Sequence, residues 1–215
     1  MSFLEKYTNQ PFPFQKFDFA TIPSHPFGGM EHVGAIQYKE SSLFLDNSTT
    51  SSDKLNRAKL IAHETAHTWF GNLVTMKWFD DVWMKEVFAN FMADKIVNPS
   101  FPEINHNLQF LMGHYPSAYS EDRSLGTHPI KQKLDNLNHA GSLYGNIIYD
   151  KAPIMMRQLE TMIGNVAFEK GIQKYIQKYA NNNADWEQLV EILDQETPID
   201  LKQWSKVWVN ESGRP

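Results

Sequence analysis

The sequence predicts an α+β fold in which a small β-sheet at the N-terminal end is followed by a mostly helical body. Three observations predict it. Residues 1–46 alternate short aromatic or aliphatic stretches with prolines, apolar residues recur at helical spacing from about Asp53, and short loops with capping residues divide the rest. The expected organisation is one domain over 1–215, with a β-rich part at 1–50 and a helical part at 51–215.

Within the first part, the Phe-rich stretch from Phe14 to Ile22 reads as a strand, with prolines outside it at Pro11, Pro13, Pro23 and Pro26. Val33 to Tyr38 and Leu43 to Asp46 are further strand candidates. The polar run at 47–52 ends in a good helix N-cap. Leu55, Ala58, Leu60, Ile61, Ala62 and Ala66 then suit a buried helix to about Phe70, closed by Gly71 and Asn72. A second helix is expected from about Asp81 to Val97, stopped by Asn98 and Pro99. Asn165, Asp185 and Asp200 read as N-caps of later helices, and Pro153 fits the first turn of one beginning near Asp150.

Composition narrows the function classes. With 41% hydrophobic and 13% aromatic residues among 215, the chain has the makings of a packed globular core. Its net charge is -5 and it carries no block of lysine and arginine, so nucleic acid and anionic membranes have no electrostatic footing as partners. There is no run of about 18 uncharged apolar residues and hence no expected membrane span, and no signal peptide is visible. The chain therefore reads as soluble, with its compartment unassigned. It has no cysteine, which leaves histidine and carboxylate as the metal ligands available to it.

His63-Glu64-Thr65-Ala66-His67 is an H-E-x-x-H motif inside the first strong helix. Residues four apart share a helix face, so both imidazoles can reach one ion. Glu64, about 100° round the axis from His63, can touch a water on that ion without ligating it. Two surface histidines on an amphipathic helix would carry the same pentapeptide, but this helix is apolar around them. Catalytic zinc needs a third protein ligand and an open position. Glu86 follows His67 after 18 residues and lies in the second helix, among Trp83, Val87, Phe88 and Phe91 rather than on a charged face. His63, His67 and Glu86 would make a two-His, one-Glu site for one zinc ion per chain.

The run from His63 through Asn90, HETAHTWFGNLVTMKWFDDVWMKEVFAN, resembles the core signature of the aminopeptidase N-like zinc metallopeptidases, the gluzincin aminopeptidases. The longer H-E-x-x-H-x-x-G-x-x-H pattern fails, because Phe70 and Leu73 stand at its Gly and His positions. The resemblance implies a thermolysin-like zincin catalytic domain. Gly28-Gly29-Met30-Glu31-His32 resembles the family's Gly-x-Met-Glu-Asn motif, with His32 in place of Asn. By resemblance Gly28, Gly29 and Met30 lie on a strand edge beside the metal, and Glu31 grips the α-amine of the substrate. A tight turn with a stray glutamate is the plainer alternative.

Tyr149-Asp150-Lys151-Ala152 resembles the family's Tyr-x-Lys-Gly segment, which makes Tyr149 a donor to a developing oxyanion. Tyr144 matches a second tyrosine found in some members, though simple packing explains it equally well. Asp122 with Thr127-His128-Pro129-Ile130 also resembles a family stretch, with His128 read as structural or as a partner of a ligand. Asp80, Asp81 and Asn90 are candidates to hold the zinc-bound imidazoles, while His25, His106, His114 and His139 are expected near the surface.

The expected function is zinc-dependent removal of N-terminal residues from peptides with a free N-terminus, Glu64 and Tyr149 being catalytic. A zinc endopeptidase, a bifunctional epoxide hydrolase and aminopeptidase, or an inactive zinc-binding scaffold are the alternatives. Family members carry a β-rich domain before the catalytic domain and usually a helical one after it. The chain is accordingly expected to be a fragment of a multidomain enzyme, with those flanking domains as partners.

Overall fold

The computed structural model describes residues 1–213. Its small N-terminal sheet has the order β1-β3-β2, formed by β1 (Asp18–Ile22), β2 (Gly29–Met30) and β3 (Ala35–Lys39). β1 runs parallel to β3, and β2 pairs antiparallel to it with Gly29 opposite Tyr38 and Met30 opposite Gln37. The two-residue β2 is therefore an edge, with a free side toward the helices.

A helix precedes the sheet, α1 (Ser2–Thr8), which the sequence reading did not anticipate. Met1 gives it no side-chain cap, so the usual start signal is missing. It holds by burying Leu4 and Tyr7, and the Tyr7 carbonyl accepts a 3.1 Å hydrogen bond from Gln173. The strand expected over Leu43 to Asp46 is absent. α2 (Glu40–Leu43) occupies its start, and Asp46 turns the chain by accepting from the Ser48 N–H at 2.8 Å and its hydroxyl at 2.6 Å.

α3 (Ser51–Ala66) begins with a capping box between Thr50 and Asp53 and ends earlier than its apolar pattern suggests. His67 is its C-cap, and residues 67–70 leave in a turn. β4 (Val74–Met76) and a 3₁₀ turn at Phe79–Asp81 lead into α4 (Val82–Val97). α3 and α4 pack on one another, and Phe70 stacks on Phe88 with ring centroids 4.8 Å apart. Burial of both faces of α4 gives this pair its footing: Val82, Trp83, Met84, Val87, Phe88, Ala89 and Met92 are all inside.

The body continues through α5 (His106–Asp122), a π turn at Ile147–Lys151, α6 (Ala152–Ile163), α7 (Asn165–Tyr179), β5 (Asn182–Ala184), α8 (Trp186–Asp194) and α9 (Leu201–Trp208). Pro153 sits in the first turn of α6, and Asp185 and Asp200 cap α8 and α9. Asn165 is not a cap. Gly164, at φ 84°, provides the turn before it, a backbone angle that glycine adopts without strain. β5 pairs in parallel with β4, Val74 opposite Asn182, and so ties the C-terminal half to the loop between α3 and α4. No helix among the described residues is long and apolar enough to cross a membrane.

Candidate metal centre

α3 presents His63 and His67 one turn apart, and α4 brings Glu86 against them. The two imidazole Nε2 atoms lie 3.0 Å apart. Glu86 Oε2 is 3.4 Å from Nε2 of His63 and 3.7 Å from Nε2 of His67. Donors about 2.1 Å from a tetrahedral zinc ion stand about 3.4 Å from one another, so this triangle has the size zinc needs.

The outer nitrogens settle the tautomers. His63 Nδ1–H donates to Asn90 Oδ1 at 2.8 Å, and His67 Nδ1–H donates to the Phe70 carbonyl at 3.0 Å. With protons on both Nδ1 atoms, two lone pairs confront each other inside the triangle beside a carboxylate. A cation relieves that repulsion. Of the three candidates to hold the imidazoles, Asn90 does so. Asp80 instead accepts from the Leu134 N–H at 2.5 Å, and Asp81 pairs with Lys131 at 3.2 Å. The Phe70 carbonyl carried no sequence signal, since any residue supplies one.

Glu64 points into the same space and is buried, with Oε2 lacking any hydrogen-bond partner. Burial pushes its carboxyl up to about 7, with the nearby carboxylates of Glu31 and Glu86 adding to the rise and His63 opposing it. Burial likewise raises Glu86, but the imidazoles of His63 and His67 beside it and the charge of Lys85 outweigh it and hold the carboxyl well below the usual range. Glu31, Glu64 and His67 form a second gathering of donor atoms within 4.8 Å, and because it shares His67 it belongs to the same centre.

The edge strand β2 lies across this centre. A Cβ on Gly29 would overlap the Glu64 carboxyl group, so the backbone can pass there only without a side chain. Beyond it, Asn72 donates to the Glu31 carbonyl at 2.9 Å and fixes the backbone of that residue. Asn72 follows Gly71, whose φ of 134° lies in the range that favours glycine.

Phe27, Gly28, Gly29, Met30, Glu31, His63, Glu64, His67, Glu86, Tyr144 and Tyr149 line one cleft of about 720 Å³. Tyr144 and Tyr149 stack across its mouth with centroids 6.2 Å apart, both still partly open to solvent. Burial raises the pKa of the Tyr149 phenol, which keeps it a hydrogen-bond donor. The π turn that carries it is anchored by Lys151, buried in an ion pair with Asp122 at 2.8 Å. His128 donates to the Pro129 carbonyl and is not among the cleft residues. His25, expected near the surface, is buried against Phe27. Lys85, which the sequence did not single out, reaches into the centre to both Glu31 and Glu86.

Comparison with known proteins gives the family. The chain matches the peptidase family M1 domain over residues 1–208. It is 35% identical over its whole length to a probable aminopeptidase 1 of Sulfurisphaera tokodaii, of which it covers 27%. It is 33% identical over its whole length to a leucyl aminopeptidase of Saccharolobus solfataricus, again covering 27% of that protein. Over 95% of its length it is 35% identical to a puromycin-sensitive aminopeptidase of Caenorhabditis elegans, covering 22%. The chain thus spans about a quarter of the length of these relatives.

Proposed function

Because the chain belongs to peptidase family M1, a family of zinc metallopeptidases, we propose that its cleft hydrolyses the N-terminal bond of peptides, as an aminopeptidase using one zinc ion held by His63, His67 and Glu86. The observation that carries this reading is the donor triangle, with both Nδ1 protons committed outward and an unpartnered Glu64 oxygen beside it.

Zinc held by these residues would supply Lewis acidity, lowering the pKa of a water from about 15.7 to about 7 and polarising a carbonyl. Glu64 takes the proton as water attacks the scissile carbon and returns it to the leaving amine. Tyr149 donates its phenolic proton in a hydrogen bond to the oxygen on which charge develops. Glu31 pairs with the ammonium of a free N-terminus, while Gly28, Gly29 and Met30 offer a strand edge to the extended substrate. Tyr144 closes the same mouth. Segments of the longer relatives that have no counterpart in this chain are the proposed source of further substrate contacts.

The test pairs metal analysis with hydrolysis of aminoacyl chromogenic substrates, free and N-acetylated. Glu64→Gln should retain one zinc per chain and lose roughly 10²–10⁴ in turnover, and the acetylated substrates should resist the wild type. Equal cleavage of blocked and free substrates would sink the aminopeptidase reading in favour of an endopeptidase.

A further inference from the structure

Three carboxylates, Glu31, Glu64 and Glu86, face this cleft, and one lysine is paired with two of them. Lys85 Nζ lies 2.5 Å from Glu31 Oε1 and 3.2 Å from Glu86 Oε1. Lys59, the other lysine lining the cleft, is paired with Asp94 at 2.6 Å. Lys85 is largely buried, and its charge is therefore spent on the cleft and not on solvent.

We propose that Lys85 is a resident counter-cation of Glu31 that sets how strongly the cleft prefers a protonated amine. The inference rests on the assignment of Glu31 as the amine-binding carboxylate. An arriving ammonium has the same charge, the same donor type and the same target as Lys85 Nζ. It must share a carboxylate that is already neutralised, and it meets the repulsion of a fixed cation a few ångströms away. The preference for a free N-terminus is thereby set below what an unpaired Glu31 would give. Glu31 does not depend on Lys85 for its backbone position, because Asn72 holds its carbonyl and β2 continues into it. Lys85 acts through Glu31, so it is a positioning and selectivity residue rather than a catalytic one.

The contact with Glu86 has a second consequence. Lys85 holds Oε1, the oxygen turned away from the imidazoles, and leaves Oε2 to face them at 3.4 Å and 3.7 Å. Glu86 is thus presented by one oxygen only.

The experiment measures binding of leucinol and N-acetylleucinol to the zinc-loaded chain by calorimetry, in wild type, Lys85→Met and Lys85→Arg. Lys85→Met should bind leucinol about tenfold tighter, equivalent to about 1.4 kcal/mol, with N-acetylleucinol unchanged. Lys85→Arg, which keeps the charge, should behave as wild type. For a free aminoacyl substrate, the same Lys85→Met change should appear as a lower KM.

A Lys85→Met protein that binds leucinol no tighter, or tightens on both ligands alike, overturns the proposal, as does an arginine variant that matches the methionine one. Should Lys85→Met not fold, Lys85→Gln makes the same comparison. Glu31→Gln in the same assay separates the two inferences: unchanged leucinol affinity there removes Glu31 from amine binding, independently of what Lys85 does.

Discussion

Gly29 lies against Glu64 so closely that a single methyl group on the glycine would occupy the space of the carboxyl group. The strand edge and the proposed base are therefore one fitted unit. Gly29→Ala should push Glu64 or β2 aside while leaving the imidazoles alone. Zinc content should stay at one per chain and kcat should fall by about 10², the scale of an ångström-size misplacement. Metal analysis beside steady-state kinetics checks both halves, and an alanine variant with wild-type kcat would show that the contact is slack.

The Asn90 side chain holds the His63 tautomer from outside. Asn90→Ala should weaken zinc binding by about 10–100-fold, as expected when the partner of a metal-bound imidazole is lost. Competition against a chromogenic chelator reads this directly, without any turnover.

Lys151 and Asp122 form an ion pair with almost no exposure to water, and Lys151 also donates to the Gly213 carbonyl at 2.8 Å. Lys151→Met leaves a carboxylate buried without its cation and should destabilise the fold by about 3–5 kcal/mol. The double variant Lys151→Met with Asp122→Leu should recover most of that loss. Chemical denaturation of the three proteins provides the comparison.

Asp81 introduces a pH dependence of opposite sign to that of an ordinary paired carboxylate. Burial pushes its carboxyl from an ordinary 3.8 up to about 6, despite the opposing charge of Lys131. The folded chain then binds a proton more tightly than the unfolded one. Its contribution to stability is full below about 3.8 and is lost as pH rises to about 6. Asp81→Asn should remove this component, so that the variant gains on wild type by up to about 3 kcal/mol between pH 4 and pH 7. Urea unfolding at the two pH values measures it.

What could be read from the sequence was what local periodicity encodes. His63 and His67 are one turn apart, and Glu86 sits on the next helix, so their convergence required only that α4 fold back on α3. The small sheet followed by helices was legible from prolines and spacing. α1 was not, because it has no cap and is held by its contacts with α7. The strand expected at 43–46 failed because Asp46 bonds its own neighbourhood in place of a ladder. Lys85 was invisible for a different reason: residues adjacent on a helix point about 100° apart, and nothing in the order Lys-Glu says that both side chains turn into one cleft. The Phe70 carbonyl became available only because α3 stops at Ala66, short of its apolar pattern.

The pairing of β4 with β5 has a bearing on how such a chain is made. The loop joining the two ligand-bearing helices is clamped from downstream: Lys77 meets Asp185 at 2.6 Å across 108 positions, and Asn181 donates to the Leu73 carbonyl at 2.8 Å. During synthesis from the N-terminus, both helices leave the ribosome well before that clamp exists. The hold on the loop between the two helices is therefore completed only once residues 181–185 have been made, about a hundred positions after the segment they clamp.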